Sequence, residues 1–284
     1  MADNVNEFTL KLANFLLKDD VKMFGFSISG FVAYMTLSFV SNGLQGHTKD
    51  QLLHLLNCNF SNMEISYTRT QMETQCLNSF LMDEFSAIGS AQSAIFHSKP
   101  VFENFQQMAR DFYDIEMHPI DPTNHDIQQY TIDEWSKKLI GVYFNDVFKE
   151  SIHEDISILI VNEYFARFKW KTPFNPRSII KGIFTDISMN NITADFMKMT
   201  DIFRFYNDVV IGASIIFIPL VDDDMYAVIM LPYPDKNLLD ILPRINVEIK
   251  IICRMREYIP GLIFHCSEEL IYFYLNLEYL AKYL

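Results

Sequence analysis

The sequence predicts an α+β fold, with helices in the first half of the chain and strands in the second. Three observations support this class. Apolar residues recur at helical spacing through much of the first 139 positions, and an uncharged, β-branched run follows at residues 156–161. From residue 196 onward, apolar or alternating runs are separated by turn residues. Helices that are segregated from strands along the chain are typical of α+β proteins.

The first three predicted helices lie within residues 8–56. One covers residues 8–16 and ends near Asp19, and the next lies within residues 23–46, where no residue is charged. That second segment approaches the length of a membrane span. Polar residues interrupt it, however, and we expect a helix buried on all sides. In the third helix, Thr48 and Gln51 form a predicted capping box ahead of a leucine-rich buried face.

Two further helices and one central strand follow. The helices are predicted at residues 100–113 and 127–139, the latter carrying Trp135, with a breaker at Asp121-Pro122 between them. The run at 156–161 has the composition of a strand covered on both faces. The small-residue stretch at 86–91 is interpreted as a loop or strand edge.

The second half is predicted to be rich in strands, with a short helix at 238–242 and a longer one at 267–284. The predicted strands cover residues 196–206, 209–220, 225–231 and 247–253. The triplet of aspartates at 222–224 lies between two of them and is interpreted as a hairpin loop.

Composition limits the classes of partner. The chain has 284 residues, of which 50% are hydrophobic, and its net charge is −13. This charge repels nucleic acid and anionic membranes, so we expect neither as a partner. No linker-like stretch interrupts the chain, and we predict one domain over residues 1–284, incomplete at its C-terminus.

The amino terminus and the cysteines bear on location. The first residues are acidic and polar, without the pattern of a signal peptide. Cys58, Cys76, Cys253 and Cys266 show no CxxC spacing. We therefore expect reduced thiols in a cytoplasmic protein, with an extracellular location as the alternative.

No catalytic, metal or cofactor motif is present in the sequence. It contains no GxGxxG, Walker, HExxH or GxSxG pattern, and its seven histidines are scattered. The aspartate triplet has no complementary cluster of ligands. We expect no enzyme activity, no catalytic residue, no cofactor and no metal site.

Several phrases resemble, in the correct order, the signatures of the serpin family. The most specific is Asn162 in the central strand, followed eight residues later by Trp170 and then by Pro173-Phe174. Others are the phrase at 26–29, the glycine turn and helix at 43–52, and the Thr-Ile-Asp-Glu-Trp phrase at 131–135. Segments at 196–200, 227–232 and 259–270 also resemble family phrases.

The resemblance implies a fold and a mechanism. The fold would place N-terminal helices on a large central mixed sheet, with smaller antiparallel sheets beside it. Inhibitory serpins offer a loop as bait to a serine or cysteine protease, and after cleavage the loop inserts into that sheet as a new strand. The resemblance assigns Ser27, Asn162 and Trp170 to the region where the sheet opens. The resemblance also implies a histidine that hydrogen-bonds with Ser27 and Asn162, on a strand beyond the end of this sequence. Without it, the polar groups of Ser27 and Asn162 would lack one hydrogen-bond partner if they are buried.

The resemblance also exposes departures. The sequence stops at Leu284, before the family's fifth central strand and its reactive-centre loop, so we expect a C-terminally truncated serpin that is not inhibitory by itself. The alternatives are a non-inhibitory scaffold for a protein or ligand, and a non-functional truncated product. Proteases are the partners that the resemblance implies, and the open sheet suggests strand exchange with other serpins.

Overall fold

The computed structural model describes most of the chain. The described residues are 2–19, 28–63, 65–78, 89–139, 156–166, 168–175, 177, 179–185, 190–221, 225–236, 238–245, 258–267 and 274–276. The chain divides into two compact units, the first of residues 1–8, 28–166 and 273–284 and the second of residues 9–27 and 167–272. The prediction of a single domain stays a prediction.

Helices dominate the first part of the described chain. They are α1 (Ala2–Asp19), α2 (Gly30–Gly43), α3 (Gly46–Leu55), α4 (Ser66–Leu77), α5 (Glu103–Tyr113) and α6 (His125–Ser136), with a short α7 (Leu238–Ile241) and a 3-10 turn (Leu242–Arg244) later. Capping side chains fix where α2 and α6 begin. Ser29 accepts a hydrogen bond from Val32 N at the start of α2, and Asn124 accepts one from Ile127 N at the start of α6.

Helix α2 is buried nearly all round, as its uncharged sequence predicts. Ten of its fourteen residues are buried. Among the described residues, no helix combines the length and apolar character that crossing a bilayer demands. Helix α2 is therefore an internal helix of the first unit.

The first unit contains a four-stranded mixed sheet. Its strands are β1 (Gly89–His97), β2 (Ile115–Pro119), β3 (Ile158–Ala166) and β9 (Tyr274–Asn276), in the order β2-β1-β3-β9. Strand β1 is parallel to β2 and antiparallel to β3, which is antiparallel to β9. The predicted central strand at 156–161 is confirmed, although the observed strand runs from 158 to 166.

Both faces of this sheet are covered by helices. On one face, Leu159 and Val161 of β3 pack with Ile132 and Trp135 of α6. On the other, Ile160 packs against a cluster that includes residues of α2 and α5. The alternation follows from the period of two along a strand, and it confirms that β3 is covered on both faces.

The second unit contains a five-stranded antiparallel sheet. Its strands are β4 (Ile180–Thr185), β5 (Asn191–Asp208), β6 (Ala213–Pro219), β7 (Tyr226–Pro232) and β8 (Tyr258–Ser267), with order β4-β5-β6-β7 and β8 also paired to β5. Two apolar clusters stabilise it, one on each face of β6. The α+β fold class predicted from the sequence is confirmed.

Three sequence predictions are wrong. The capping box fails because α3 begins at Gly46 after Gln45, so Thr48 lies inside the helix rather than at its cap. Residues 267–284 are not one helix, because Ser267 ends β8 and Tyr274–Asn276 form β9. Aromatic residues favour a strand there, and the edge of β3 provides the pairing partner.

The third wrong prediction concerns the cysteines. Cys58 and Cys76 form a disulfide rather than two reduced thiols. Their sequence spacing gives no hint of the pairing, since Cys58 follows α3, Cys76 lies in α4, and both helices pack on α2. The side chains of Cys253 and Cys266, the predicted strand at 247–253 and the aspartates at 222–224 lie outside the described residues.

Candidate functional site

A small buried polar patch lies between α2 and the central sheet. Its members are Thr36 of α2, Ser93 of β1 and Asn162 of β3, which are all buried. Ser93 and Asn162 are directly opposite each other in the antiparallel pair, so their side chains project from the same face of the sheet. That face carries Ile160 and packs on α2.

Hydrogen bonding within the patch is incomplete. The Thr36 hydroxyl lies 2.9 Å from Asn162 Oδ1 and 3.0 Å from Val32 O, so its single proton is shared between two acceptors. Asn162 Nδ2 and Ser93 Oγ are buried and have no hydrogen-bond partner. A buried polar group without a partner costs about 1–3 kcal/mol. The two unpaired groups therefore lower the free energy of unfolding of the present fold.

A small void adjoins Asn162. It is lined by Asn162 and Tyr164 of β3 and by residues at the start of α2, namely Ile28, Ser29, Val32 and Ala33. Its volume is about 10 Å³, the lower limit for one water molecule. Packing beside Asn162 therefore leaves a gap no larger than one water molecule.

The two edges of β3 differ in how far they are paired. Strand β1 pairs with β3 at nine positions, from Ile158 to Ala166. Among the described residues, the other edge is paired by β9 at three positions, Val161, Asn162 and Glu163. The shorter ladder is centred on the residue whose amide is orphaned below the sheet.

The other two predicted site residues are Ser27 and Trp170. Ser27 lies outside the described residues. Trp170 belongs to the second unit, where it packs edge-on against Phe174 with ring centres 5.6 Å apart. It also forms a bridge to Leu220 beside β6. The sequence motif therefore contributes an apolar cluster there, and the assignment of Ser27, Asn162 and Trp170 to sheet opening stays a prediction.

Sequence reasoning did not identify Thr36 and Ser93 as members of the patch. Thr36 is a polar residue inside an otherwise apolar helix, which is a usable signal when that helix is predicted to be buried. Ser93 gives no such signal, because only the register of β1 with β3 places it opposite Asn162. Among the described residues, no three histidine, cysteine or acidic side chains are arranged to hold a metal ion.

Comparison with known proteins places this architecture in a family. A family model described as serpin (serine protease inhibitor) matches residues 3–258. Human antithrombin-III is 26% identical over 149 residues, which are 52% of this chain and 32% of that protein. Rabbit (Oryctolagus cuniculus) corticosteroid-binding globulin is 23% identical over 216 residues, covering 75% of this chain and 55% of that protein.

A solved structure shares the fold. The crystal structure of reactive-loop-cleaved human thyroxine-binding globulin matches with a TM-score of 0.71 and 14% identity, covering 93% of this chain and 78% of that one. The chain spans about a third of the length of antithrombin-III and about half that of corticosteroid-binding globulin. The family is one of protease inhibitors rather than enzymes. Because the family model covers most of the sequence, this protein belongs to the serpin family.

Proposed function

We propose that this protein is a strand-accepting serpin that regulates a serine or cysteine protease, and that residues 1–284 do not trap the protease unaided. The observation that carries the proposal is the short ladder on the β9 side of β3, lying over the orphaned amide of Asn162. A strand longer than the described part of β9 would gain main-chain hydrogen bonds along β3 beyond the three positions that Tyr274–Asn276 pair.

The buried patch supports strand acceptance energetically. Opening a sheet requires that the groups beneath it change partners at small cost. Asn162 Nδ2 and Ser93 Oγ have no hydrogen bond to lose, and a small void adjoins Asn162. A fully bonded and closely packed site would resist the same rearrangement.

The second half of the proposal concerns the bait. In this proposal the bait loop is not among residues 1–284. For this segment by itself, the strand that fills the edge of β3 would be supplied by a peptide, or by another serpin through strand exchange. Net charge of −13 favours basic rather than acidic partners.

A carrier function is the second candidate. Corticosteroid-binding globulin resembles three-quarters of this chain, and the matching structure is a thyroxine-binding globulin. In this alternative the scaffold binds a small apolar ligand and inhibits no protease. Binding of cortisol or thyroxine, measured by quenching of Trp135 and Trp170 fluorescence, would favour this candidate over the first.

The disulfide bears on the location of the protein. Disulfides persist in oxidising compartments and are rare in the cytosol. Of the two locations considered from the sequence, the Cys58–Cys76 bond supports the extracellular one, and we adopt that as part of the proposal.

Protease trapping is the experiment that tests the function. Residues 1–284 are incubated with trypsin, elastase and papain, with and without an acetylated peptide of alternating alanine, threonine and valine as long as β3. We expect no SDS-stable complex in any lane, and a higher melting temperature with the peptide. A stable complex formed by the chain alone would contradict the second half of the proposal. An unchanged melting temperature would contradict strand acceptance and leave a carrier or a non-functional product.

A further inference from the structure

We propose that the Cys58–Cys76 disulfide is a thiol-exchange site, at which a small-molecule thiol of the glutathione class bonds to Cys76 and releases helix α4. The proposal is independent of strand acceptance, because it concerns only the surroundings of the disulfide: the segment from α3 to α4, helix α2, and Asn4 of α1.

The disulfide is the covalent member of a small set of contacts that anchor α4. Of the twelve residues of this helix, only Glu73, Cys76 and Leu77 are buried. The rest of the helix is largely polar, and Tyr67 near its start is exposed. An isolated helix of this length is marginal in water, so α4 depends on its few anchoring contacts. Breaking the bond between Cys76 and Cys58 removes the covalent contact among them.

The two sulfur atoms have different surroundings. Cys58 is 0% exposed, and its sulfur lies 3.3 Å from the hydroxyl of Tyr34. Cys76 is 8% exposed and lies in the last turn of a mostly exposed helix, with Asn4 Nδ2 3.6 Å from its sulfur. An incoming thiolate therefore reaches Cys76 more readily than Cys58, which is closed off from solvent.

The exchange step balances without an external oxidant or reductant. The small-molecule thiol loses its proton, and its sulfur attacks Cys76 Sγ. The Cys58–Cys76 bond breaks, a mixed disulfide forms on Cys76, and Cys58 departs as a thiolate that takes up the released proton. One disulfide is broken and one is formed.

Tyr34 is placed to assist the departing sulfur. Its hydroxyl lies 3.2 Å from Leu56 O and 3.3 Å from Cys58 Sγ. While the disulfide is intact, the carbonyl oxygen is the stronger acceptor for the hydroxyl proton. Once Cys58 becomes a thiolate, the hydroxyl donates to the sulfur, because a charged acceptor forms the stronger hydrogen bond. Tyr34 is therefore a positioning and stabilising group for Cys58.

The test begins with the purified oxidised chain. Non-reducing peptide mapping is expected to show the Cys58–Cys76 link. The chain is then treated with reduced glutathione under native conditions, alkylated and mapped again. We expect one glutathione on Cys76 and an alkylated thiol on Cys58. Hydrogen exchange is expected to accelerate roughly tenfold or more in residues 66–77, and little in α2.

Two variants sharpen the result. Tyr34→Phe keeps the ring but removes the hydroxyl, and should slow the formation of the same adduct severalfold. Thr70→Ala changes an exposed position of α4 and serves as the matched control with unchanged exchange kinetics. A missing link in the oxidised chain, glutathione on Cys58 rather than Cys76, or unchanged exchange in α4 after the adduct forms would each overturn the proposal.

Discussion

Strands β3 and β6 are both interior strands of their sheets, yet they are built differently. Strand β6 pairs with β5 at five positions and with β7 at seven, and its buried residues are all apolar. Strand β3 pairs with β1 at nine positions and with β9 at three, and it buries Asn162 with an orphaned amide. The first arrangement favours stability, while the second, within the described residues, leaves part of an edge unpaired and a polar group without a hydrogen bond.

The difference indicates where the molecule can rearrange. Apolar burial and complete strand pairing stabilise the existing arrangement of β6 and leave it little to gain from an added strand. An incomplete ladder above an incompletely bonded polar patch stabilises the present arrangement less, and gains more from a new strand. We therefore expect β6 to govern stability and β3 to govern strand acceptance.

The largest predicted effect is a loss of stability from the interior of the β6 sheet. Phe217→Ala removes a ring that is 3% exposed and packed in an apolar cluster, and should lower the free energy of unfolding by about 3–5 kcal/mol. Urea denaturation measures it. The control is Leu231→Ala on β7, where the side chain is 66% exposed and the loss should stay within about 0.5 kcal/mol. Equal losses would mean that the two positions are equally packed, against this account.

In the polar patch under β3, by contrast, a second substitution to an apolar residue should restore stability that a first one removes. Thr36→Val leaves Asn162 Oδ1 without its donor and should cost about 1–3 kcal/mol. Adding Asn162→Leu removes the orphaned amide as well, and should recover most of that loss because both partners become apolar. A double-mutant cycle in urea measures the coupling. If the double variant is less stable than Thr36→Val alone, the amide has partners that this account denies.

The smallest effect concerns β2, the other edge of the central sheet. Partial burial alone would raise the pKa of Glu116, but hydrogen bonds and charges from Lys138 and His118 hold it below its ordinary value of 4.5. Lys138 Nζ lies 2.8 Å from the carboxylate. A lowered folded-state pKa stabilises the fold above the ordinary value, and this contribution is lost as pH falls through the folded-state pKa.

The measurement compares the chain with Glu116→Gln across that acidic range. Since Glu116 is about half exposed, the difference in unfolding free energy should be at most about 1 kcal/mol near neutral pH, and should vanish in acid. High salt should reduce it. A difference that grows as pH falls would have the wrong sign.

The sequence predicts apolar elements well and polar or long-range features poorly. Helix α2, helix α6 with Trp135 and strand β3 were predicted because their apolar residues repeat at the right period. Helix α4 is polar on most of its surface, with three threonines and two glutamines, so it gives no apolar stripe. Strand β1 begins with small residues that hide its alternation.

The candidate site was predicted only in part, for the same physical reason. Asn162 was identified through its motif, whereas Ser93 and Thr36 join it only through strand register and helix packing. The disulfide and strand β9 also depend on contacts between segments distant in sequence. Local propensity carries no information about such pairings, as the wrong helix prediction at Tyr274–Asn276 illustrates.

Hydrogen exchange tests the central claim, acceptance of a strand at β3, most directly. The chain is titrated with the acetylated strand peptide, and exchange is followed in residues 158–166 and in residues 213–219. The account predicts added protection in the first segment, with the second unchanged, and loss of the effect with a scrambled peptide containing proline. No added protection in residues 158–166 at saturating peptide would contradict it.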